Sequence, residues 1–481
     1  MEFDLSKPYC YYFNDICKIP HGSYNEKAIS DYVVSFAKEH DLKYVQDEMN
    51  NVVIYKDASE GYGEYDPLML QGHMDMVCEA ESGLDFDFET QSIETYVDEE
   101  GNLRAKGTTL GADDGMGVAE MLAILADDSL KHPPLECVFT VQEEVGLFGA
   151  LGLDKSLIHS HRMISLDGGG EVITCISSAG GVQVTNTISI KKEKNDKPCY
   201  SIKVTGLKGG HSGGEIHRER GNANKLVGRI LKELMNQGIK FNVVDWNGGS
   251  KDNAICRESV AIIASEETAV SSKVKELEEK IKVEFVDSDP GFSVVVESVD
   301  SASECLDDAS SKNVIDYVYM IPNGLQHRSM AIEGLTLTSL NCGILKTNED
   351  TITVLSSIRS ALNEALDDLI DQLSCIASYT GGVVTTDARY PAWAYNPNSK
   401  IRETFKKVFS ESHEGKELEC HAVHGGLECA IFTQIEGGMD IITCGPISEG
   451  CHTPDEYLNL ESWDRTYKML CDIVASVDKK A

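Results

Sequence analysis

Residues 67–80, with the sequence PLMLQGHMDMVCEA, determine the predicted fold. An apolar run from Leu68 to Leu70 is followed by Gln71-Gly72, and His73 and Asp75 then stand two residues apart. Short apolar runs bounded by turn residues are typical of strands buried inside an α/β sheet. Residues i and i+2 of an extended segment share a face, so Asp75 can accept a hydrogen bond from one ring nitrogen of His73 while the other binds a metal. A histidine at a strand end is more often structural, so the pair alone does not establish a site.

The sequence around this stretch alternates between predicted strands and helices. β-Branched runs at 51–55, 136–142 and 163–167 predict further strands, and helical periodicity predicts helices at 25–39 and 115–128. This alternation is typical of an α/β domain whose central mixed sheet contains parallel strands and is flanked by helices.

The pattern changes near residue 182, where strands with alternating polarity and a charged turn begin. A strand–helix–strand–strand–helix order follows and restarts at about residue 283, with KVEFVDS and GFSVVVES as its first strands. We therefore predict a domain formed by 1–182 and 388–481, interrupted at 183–387 by an inserted α+β domain of two similar halves.

Composition excludes several classes of function. The 481 residues carry 43 Lys and Arg against 79 Asp and Glu, a net charge of −36 that repels nucleic acid. Apolar runs stay short of the ~18 residues that cross a bilayer, and the N-terminus lacks the pattern of a signal peptide. The 15 cysteines are scattered without a C-x-x-C, which favours reduced thiols in the cytoplasm and argues against a cysteine zinc site.

Other predicted strands end as the first one does. The apolar run 136–142 leads to two glutamates, the run 163–167 ends in an aspartate before three glycines, and two aspartates open the predicted helix at 115–128. Ligands of open α/β sheets lie beyond the carboxyl ends of the strands, so these side chains are expected to converge. The candidate residues are His73, Asp113-Asp114, Glu143-Glu144, Asp167 and His452.

The ligand types predict the chemistry of the site. One aspartate and one glutamate from the two adjacent pairs, together with Asp167, give three carboxylates beside the two imidazoles. Such a set, with no thiolate, suits Zn²⁺, Mn²⁺ or Co²⁺. Five ligands suit two ions if one carboxylate bridges them, and the remaining positive charge would be neutralised by a bridging hydroxide. Neighbours in an extended segment point in opposite directions, so one of Glu143 and Glu144 should bind metal and the other act as general base. These arguments leave open which glutamate does which, and whether Asp113 or Asp114 bridges.

The motifs GHMDMV, GADDGMG, QEEVGLFGA, SLDGGG, GGHSGGEIHRERGNANK and GCHTPDEY resemble the aminoacyl-histidine dipeptidases, also called cytosol non-specific or carnosinase-like dipeptidases. These enzymes belong to the co-catalytic zinc aminoacylases, carboxypeptidases and dipeptidases. The resemblance covers nearly the whole chain and implies a zinc-peptidase catalytic domain with an inserted lid. It also implies these roles: His73 and Asp167 on one zinc, Glu144 and His452 on the other, Asp113 as bridge, Glu143 as general base, and Asp75 as the partner that orients His73.

In the lid, the resemblance assigns substrate contacts to His211, Asn253, Arg359 and Gly426. His211 would polarise the scissile carbonyl, Arg359 would pair with the C-terminal carboxylate of the substrate, and Gly426 would bring backbone close to it. Two alternatives remain open: Arg359 could form a structural ion pair, and His211 could be a turn residue.

The sequence therefore predicts a cytoplasmic dinuclear zinc dipeptidase, either specific for aminoacyl-histidine or broad. It would act on small dipeptides, without nucleic acid or membrane, as a possible homodimer. One alternative is an N-acyl amino acid amidohydrolase with the same metal site. A second, from another class, is a noncatalytic metal-binding scaffold.

Overall fold

The computed structural model of the chain describes residues 3–168, 170–413 and 415–480. Its α-helices are α1 Pro8–Ile16, α2 Lys27–Glu39, α3 Ala112–Ala126, α4 Phe148–Gly152, α5 Ala223–Asn236, α6 Val270–Lys282, α7 Asp308–Met320, α8 Asn363–Tyr379, α9 Lys400–Ser412, α10 Glu428–Phe432 and α11 Leu460–Ser476. Its strands are β1 Lys43–Gln46, β2 Val52–Lys56, β3 Leu68–His73, β4 Thr95–Val97, β5 Asn102–Ala105, β6 Leu135–Thr140, β7 Arg162–Ser165, β8 Ile173–Ser178, β9 Gly180–Ser189, β10 Lys192–Lys194, β11 Cys199–Thr205, β12 Gly210–His211, β13 Asn242–Gly248, β14 Ala254–Ile255, β15 Ser259–Ala264, β16 Ser293–Val299, β17 Glu304–Leu306, β18 Gly324–Arg328, β19 Thr336–Thr347, β20 Thr351–Ser360, β21 Gly382–Tyr390, β22 Glu419–Val423, β23 Asp440–Thr443, β24 Ser448–Glu449 and β25 Tyr457–Asn459.

Two compact units divide the chain. The first comprises residues 1–177, 395–422 and 427–481, and the second comprises 178–394 and 423–426. Each unit has a hydrophobic core built from its own residues.

The first unit is built on a six-stranded sheet in the order β1-β2-β6-β3-β7-β23. β1 and β2 run antiparallel to their neighbours, whereas β6, β3, β7 and β23 are parallel to one another. Every residue of β3 is buried, as expected for a strand whose two faces are both covered. The structure thus confirms the predicted mixed central sheet with flanking helices.

Helices from distant parts of the sequence cover this sheet. α3 is buried along nearly its whole length, as its continuous apolar sequence predicts. The closing helix α11 begins at Leu460, where the Asn459 side chain accepts a hydrogen bond from Ser462 N, 2.9 Å away. Its buried Trp463 packs edge-on against Tyr9 and Phe13 of α1. The end of the chain therefore completes the core that its first helix begins.

An ion cluster around the buried Glu171 holds α11 and α9 to the segment between β7 and β8. Glu171 accepts hydrogen bonds from Arg465 Nε and Nη2 of α11, at 2.5 and 2.8 Å. His413, directly after α9, has its Nε2 2.9 Å from the same carboxylate. Burial alone would raise the pKa of Glu171, but the hydrogen bonds from Arg465 and His413 lower it to about 2.

The second unit contains a nine-stranded sheet with the path β16-β11-β15-β13-β19-β20-β9-β21, to which β18 adds beside β19. An inner half consists of β11, α5, β13, β15, α6 and β16, and an outer half consists of β9, α7, β19, β20, α8 and β21. The inner strands lie in the spatial order β16-β11-β15-β13 and the outer strands in the order β21-β9-β20-β19. In both halves this places the fourth strand of the half beside its first, followed by its third and its second. The two halves thus share one topology, and the inner half lies within the outer half in the sequence, between β9 and α7.

This nesting differs from the predicted consecutive order, which began the second half at KVEFVDS, residues 282–288. There α6 extends to Lys282 and a short 3₁₀ turn follows at Val283–Phe285. Val283 and Val286 are 74% and 62% exposed, so these valines do not pack against a sheet. The first strand of the outer half is instead β9, far upstream in the sequence.

Candidate metal centre

The carboxyl ends of the parallel strands carry the predicted ligands of the first unit. His73 is the last residue of β3, and Glu143 and Glu144 follow β6 by three and four residues. Asp167 comes two residues after β7, and His452 follows β23 by way of β24. Parallel strands end at one edge of a sheet, which brings these side chains together beside the start of α3.

Asp113 is the centre of this cluster. Its Oδ1 lies 3.1 Å from His73 Nε2, and its Oδ2 lies 3.3 Å from His452 Nε2. His452 Nε2 is also 3.0 Å from Glu144 Oε1. Potential ligand atoms of His73, Asp113 and Asp167 lie within 4.8 Å of one another, and so do those of Asp113, Glu144 and His452. The two triads thus share the carboxylate of Asp113, and their imidazole and carboxylate donors are of the types that bind divalent metal ions.

Asp114, the other candidate for the bridge, faces the protein interior. It is fully buried and accepts hydrogen bonds from His73 N at 3.3 Å and Gly117 N at 3.2 Å. A Cβ at Gly72 would lie 2.3 Å from Asp114 Oδ2, and one at Gly117 would lie 2.5 Å from its Oδ1, so the two glycines make room for this carboxylate. The peptide bond between Asp113 and Asp114 is cis. Of the two aspartates, Asp113 is the one that reaches the imidazoles.

Asp75 connects His73 to the two glutamates. His73 Nδ1 donates a hydrogen bond to the backbone carbonyl of Asp75, 2.9 Å away, while the Asp75 carboxylate is 3.7 Å from this nitrogen. That donation leaves the lone pair on His73 Nε2, which faces Asp113. The Asp75 carboxylate accepts hydrogen bonds from Ser23 Oγ and from the backbone N–H groups of Glu143 and Glu144. Asp75 therefore orients His73 mainly through its backbone and holds the glutamates through its side chain.

Glu143 and Glu144 do not point in opposite directions, as an extended segment would require. They lie in a turn in which the Glu143 carbonyl accepts hydrogen bonds from Gly146 N and Leu147 N. One potential ligand atom from each glutamate lies within 4.8 Å of His73. Both carboxylates thus reach the cluster, because the chain turns directly after the strand.

The charge balance of the cluster favours a cation. Burial raises the pKa of Asp167 to about 7, with a contribution from the charge of Asp113. Burial likewise raises the pKa of Glu143 well above its ordinary value. Hydrogen bonds to Asp113 and Glu144 raise the pKa of His452 to about 10. Carboxylates outnumber imidazoles here, and burying their charge is unfavourable without positive partners. Among the described residues the three candidate ligand groups contain oxygen and imidazole donors only, which fit Zn²⁺, Mn²⁺ or Co²⁺.

Two buried glutamates were not predicted from the sequence. Glu428 accepts hydrogen bonds from Gln71 Nε2 and Thr140 Oγ1, both at 2.6 Å, and burial raises its pKa to about 8. Glu456 accepts hydrogen bonds from four consecutive backbone N–H groups at the start of α3. The signal for Glu456 was its place in GCHTPDEY, four residues after His452.

In the second unit, His211 lies in a constrained glycine-rich loop. Its Nδ1 accepts hydrogen bonds from Gly213 N at 3.2 Å and Gly214 N at 3.0 Å. In the neutral imidazole the hydrogen must then be on Nε2, which makes that atom a donor. His211 pairs with Ala254 between β12 and β14, and Ser212 N donates to the carbonyl of Asn253, 2.8 Å away. Asn253 and His211 are therefore neighbours across this short ladder.

Arg359 and Gly426 lie in a second cluster of the same unit. Arg359 Nη1 donates to Tyr390 Oη at 3.0 Å, and its buried Nε has no hydrogen-bond partner among the described residues. A Cβ at Gly426 would lie 2.8 Å from the Tyr390 ring. His424 Nε2 is 2.7 Å from Ser339 Oγ, and burial with the charge of Arg359 lowers the pKa of His424 to about 3. Within residues 3–168, 170–413 and 415–480 no salt bridge involves Arg359, so the alternative of a structural ion pair finds no support.

In the part of the chain that the structure describes, no helix has the length and apolarity needed to cross a bilayer. The same part contains all 15 cysteines, and each of them is a free thiol.

The similarity to known proteins extends over nearly the whole chain. Residues 69–476 match the model of the peptidase family M20/M25/M40. The cytosol non-specific dipeptidase of Escherichia coli (strain K12) is 33% identical over 477 residues, which cover 97% of each chain.

Among solved structures, the aminoacylhistidine dipeptidase from Vibrio alginolyticus superposes with a TM-score of 0.93 at 32% identity, covering 98% of this chain and 97% of the other. The aminopeptidase PepT from Bacillus cereus gives a TM-score of 0.57 at 15% identity, covering 98% and 99%, which is a likeness of fold alone.

Proposed function

The chain belongs to the peptidase family M20/M25/M40, and from that membership we propose that it is a metal-dependent dipeptidase holding two divalent ions, best suited to Zn²⁺ with Mn²⁺ or Co²⁺ as alternatives. The observation that carries this proposal is the pair of ligand triads that share Asp113. The dipeptidase names of the relatives from E. coli and V. alginolyticus support dipeptides as substrates, and the former name supports a cytosolic location.

The metal ligands would be His73 and Asp167 for one ion and Glu144 and His452 for the other, with Asp113 common to both. When bound, the ions would supply the positive charge that makes a water acidic and a peptide carbonyl electrophilic.

Glu143 would act as general base and then as general acid. It would accept a proton from the attacking water and deliver it to the departing amine. Two observations support this role: the partly buried carboxylate lies beside His73 in the cluster, and the hydrogen bond from Glu143 N to Asp75, 3.0 Å long, fixes its backbone. A base held in this way loses little conformational freedom in the reaction.

Residues of the second unit would bind the substrate. His211, whose Nε2 carries the hydrogen, would donate to the carbonyl oxygen as it gains negative charge. Arg359 would bind the C-terminal carboxylate, because its buried Nε still lacks a partner and its guanidinium offers two parallel N–H donors. Recognition of that carboxylate would favour substrates with a free C-terminus.

The proposal is tested by hydrolysis of a panel of dipeptides with and without chelator, together with the metal content per chain. We expect cleavage that chelation abolishes and added Zn²⁺, Mn²⁺ or Co²⁺ restores. N-acetyl amino acids in the same assay test the amidohydrolase alternative, and preferential cleavage of them would contradict the dipeptidase proposal. A protein that binds metal and cleaves neither class would favour the scaffold.

Replacement of Glu143 by Gln tests the mechanism. We expect kcat to fall by about 10²–10⁴-fold, the usual contribution of a general base, with the metal content unchanged. Glu136→Gln is the matched control, since Glu136 is a buried glutamate at the opposite end of the strand β6 that leads to Glu143. Hydrolysis at the wild-type rate by Glu143→Gln would contradict the assigned role.

A further inference from the structure

We propose that Glu456 is a positioning residue that fixes the Asp113 segment against the His452 segment and thereby sets metal affinity, an inference that rests on the proposed metal function. Its side chain accepts hydrogen bonds from Leu110 N at 2.7 Å and Gly111 N at 3.0 Å through Oε2. Its Oε1 accepts from Ala112 N at 2.8 Å and Asp113 N at 3.3 Å. One carboxylate thus binds four consecutive amides, the last of which belongs to the shared ligand.

These four amides need a partner from outside their own helix. The first N–H groups of a helix have no intrahelical acceptor, and Asp113 itself has a non-helical ψ of 108°. Gly111 has a φ of 71°, a left-handed conformation that lets successive N–H groups converge on one anion. Glu456 is only 2% exposed, so water does not replace it as acceptor. Among the described residues, this carboxylate is the acceptor that holds the backbone amide of Asp113.

The segment that carries the Glu456 side chain is also held in place. Glu456 lies four residues after His452, and Glu456 N donates to Thr453 O at 3.1 Å within the turn between them. The next residues form β25, which pairs with β5 through Tyr457 and Arg104. The strand that follows Glu456 thereby attaches the segment that bears His452 to the body of the first unit.

This arrangement bears directly on a metal triad. Asp113 and His452 belong, with Glu144, to one group of potential ligand atoms within 4.8 Å. Their two segments are far apart in the sequence, and Glu456 joins them through hydrogen bonds to the backbone. Residues that orient metal ligands typically contribute 10–100-fold to metal affinity.

The test is the metal affinity of Glu456→Gln in the full-length protein, measured by titration of the chelated protein with Zn²⁺ and with Mn²⁺. The amide keeps the size of the side chain, but its NH₂ group would face two backbone N–H groups and cannot accept from them. We expect affinity for at least one ion to fall by about 10–100-fold, with dipeptide hydrolysis restored by excess metal.

Glu136→Gln is again the matched control. Glu136 is a buried glutamate that accepts hydrogen bonds from His159 N and Ser160 N, so it too holds a loop by its backbone. It lies near the start of β6, at the edge of the sheet away from the metal ligands. We expect Glu136→Gln to lower the melting temperature without changing metal affinity.

Wild-type affinity in Glu456→Gln, or an equal loss in Glu136→Gln, would overturn the proposal, as would a wild-type protein that binds no divalent ion. If Glu456→Gln does not fold, hydrogen exchange of the wild-type protein decides: slow exchange of the amides of residues 110–113 supports the contact, and fast exchange overturns it. A wild-type protein that binds two ions yet cleaves no dipeptide would contradict the proposed function alone, because the affinity comparison remains valid.

Discussion

At the scale of single residues, Arg359 has an unused hydrogen-bond donor inside the protein. Its Nη1 donates a hydrogen bond to Tyr390, while its buried Nε lacks a partner in the described part of the chain. An unpaired buried donor costs about 1–3 kcal/mol, and a ligand that accepts from it recovers that energy. A planar guanidinium also discriminates between carboxylate and amide more sharply than an ammonium group does.

Arg359→Lys is therefore expected to raise KM for dipeptides by about 10–100-fold, since lysine cannot form the two parallel hydrogen bonds to a carboxylate. Steady-state kinetics with a dipeptide and with its C-terminal amide measure the effect. The wild-type protein should prefer the free carboxylate, and the variant should lose most of that preference. Arg389→Lys is the control, because Arg389 forms an exposed pair with Asp367. Equal KM values for Arg359→Lys and the wild-type protein would argue against carboxylate binding.

The candidate ligands could be predicted from the sequence because each follows a recognisable apolar strand or opens a helix. Sequence spacing could not distinguish Asp113 from Asp114, since the difference depends on the space that Gly72 and Gly117 leave for Asp114. Glu456 was missed for a related reason. Its partners are backbone amides more than three hundred positions away, and backbone amides leave no mark in the sequence.

At the scale of elements, the cluster of Glu171, Arg465 and His413 holds two helices to the segment before β8. Glu171→Gln should lower the free energy of unfolding of the first unit by about 1–3 kcal/mol at pH 7, because it removes hydrogen bonds between charged groups. The loss is no larger because Arg465 is half-exposed and solvent screens its charge. The folded-state pKa of Glu171 is depressed to about 2, so its contribution is present above the ordinary pKa of about 4.3 and is lost as the pH falls toward 2.

Urea unfolding of wild type and variant at pH 7 and at pH 3.5 measures this difference, which should be smaller at the lower pH. Glu461→Gln is the control, since Glu461 lies one turn from Arg465 on the same helix and is largely exposed. Its effect should stay within about 0.5 kcal/mol. A difference for Glu171→Gln that is independent of pH would mean that the cluster stabilises by packing rather than by charge.

The elements themselves were predictable where apolar periodicity was long. α2 and α3 were predicted within a few residues of their bounds, because each presents buried positions over several turns. The segment 282–288 was not, because two exposed valines and the partly buried Phe285 resemble a strand over a short window. The nesting of the two halves could not be read from element order, since β9 is separated from its partner β20 by the whole inner half.

At the scale of the whole molecule, the two hydrophobic cores predict different behaviour for their fragments. The core of the second unit draws on residues between Val182 and Ala377. The core of the first unit needs Phe405, Trp463 and Ile473 from the end of the chain. Residues 178–394 should therefore fold alone with a cooperative thermal transition, and residues 1–177 should not.

Circular dichroism during heating and the dispersion of amide proton NMR signals measure both fragments. A cooperative transition in 1–177, or its absence in 178–394, would contradict the independence of the two cores. The predicted homodimer stays a prediction, and the oligomeric state of the intact chain can be measured in the same experiments by light scattering.

The nested halves also impose an order of events on the nascent chain. β9 leaves the ribosome first but pairs with β20 and β21, and β20 begins roughly 160 residues after β9 ends. At translation rates of about 5–20 residues per second, β9 waits on the order of ten seconds for β20. The inner half has all four of its strands well before then. We therefore expect the inner half to fold first during synthesis, and the strands of the outer half to add to its sheet afterwards.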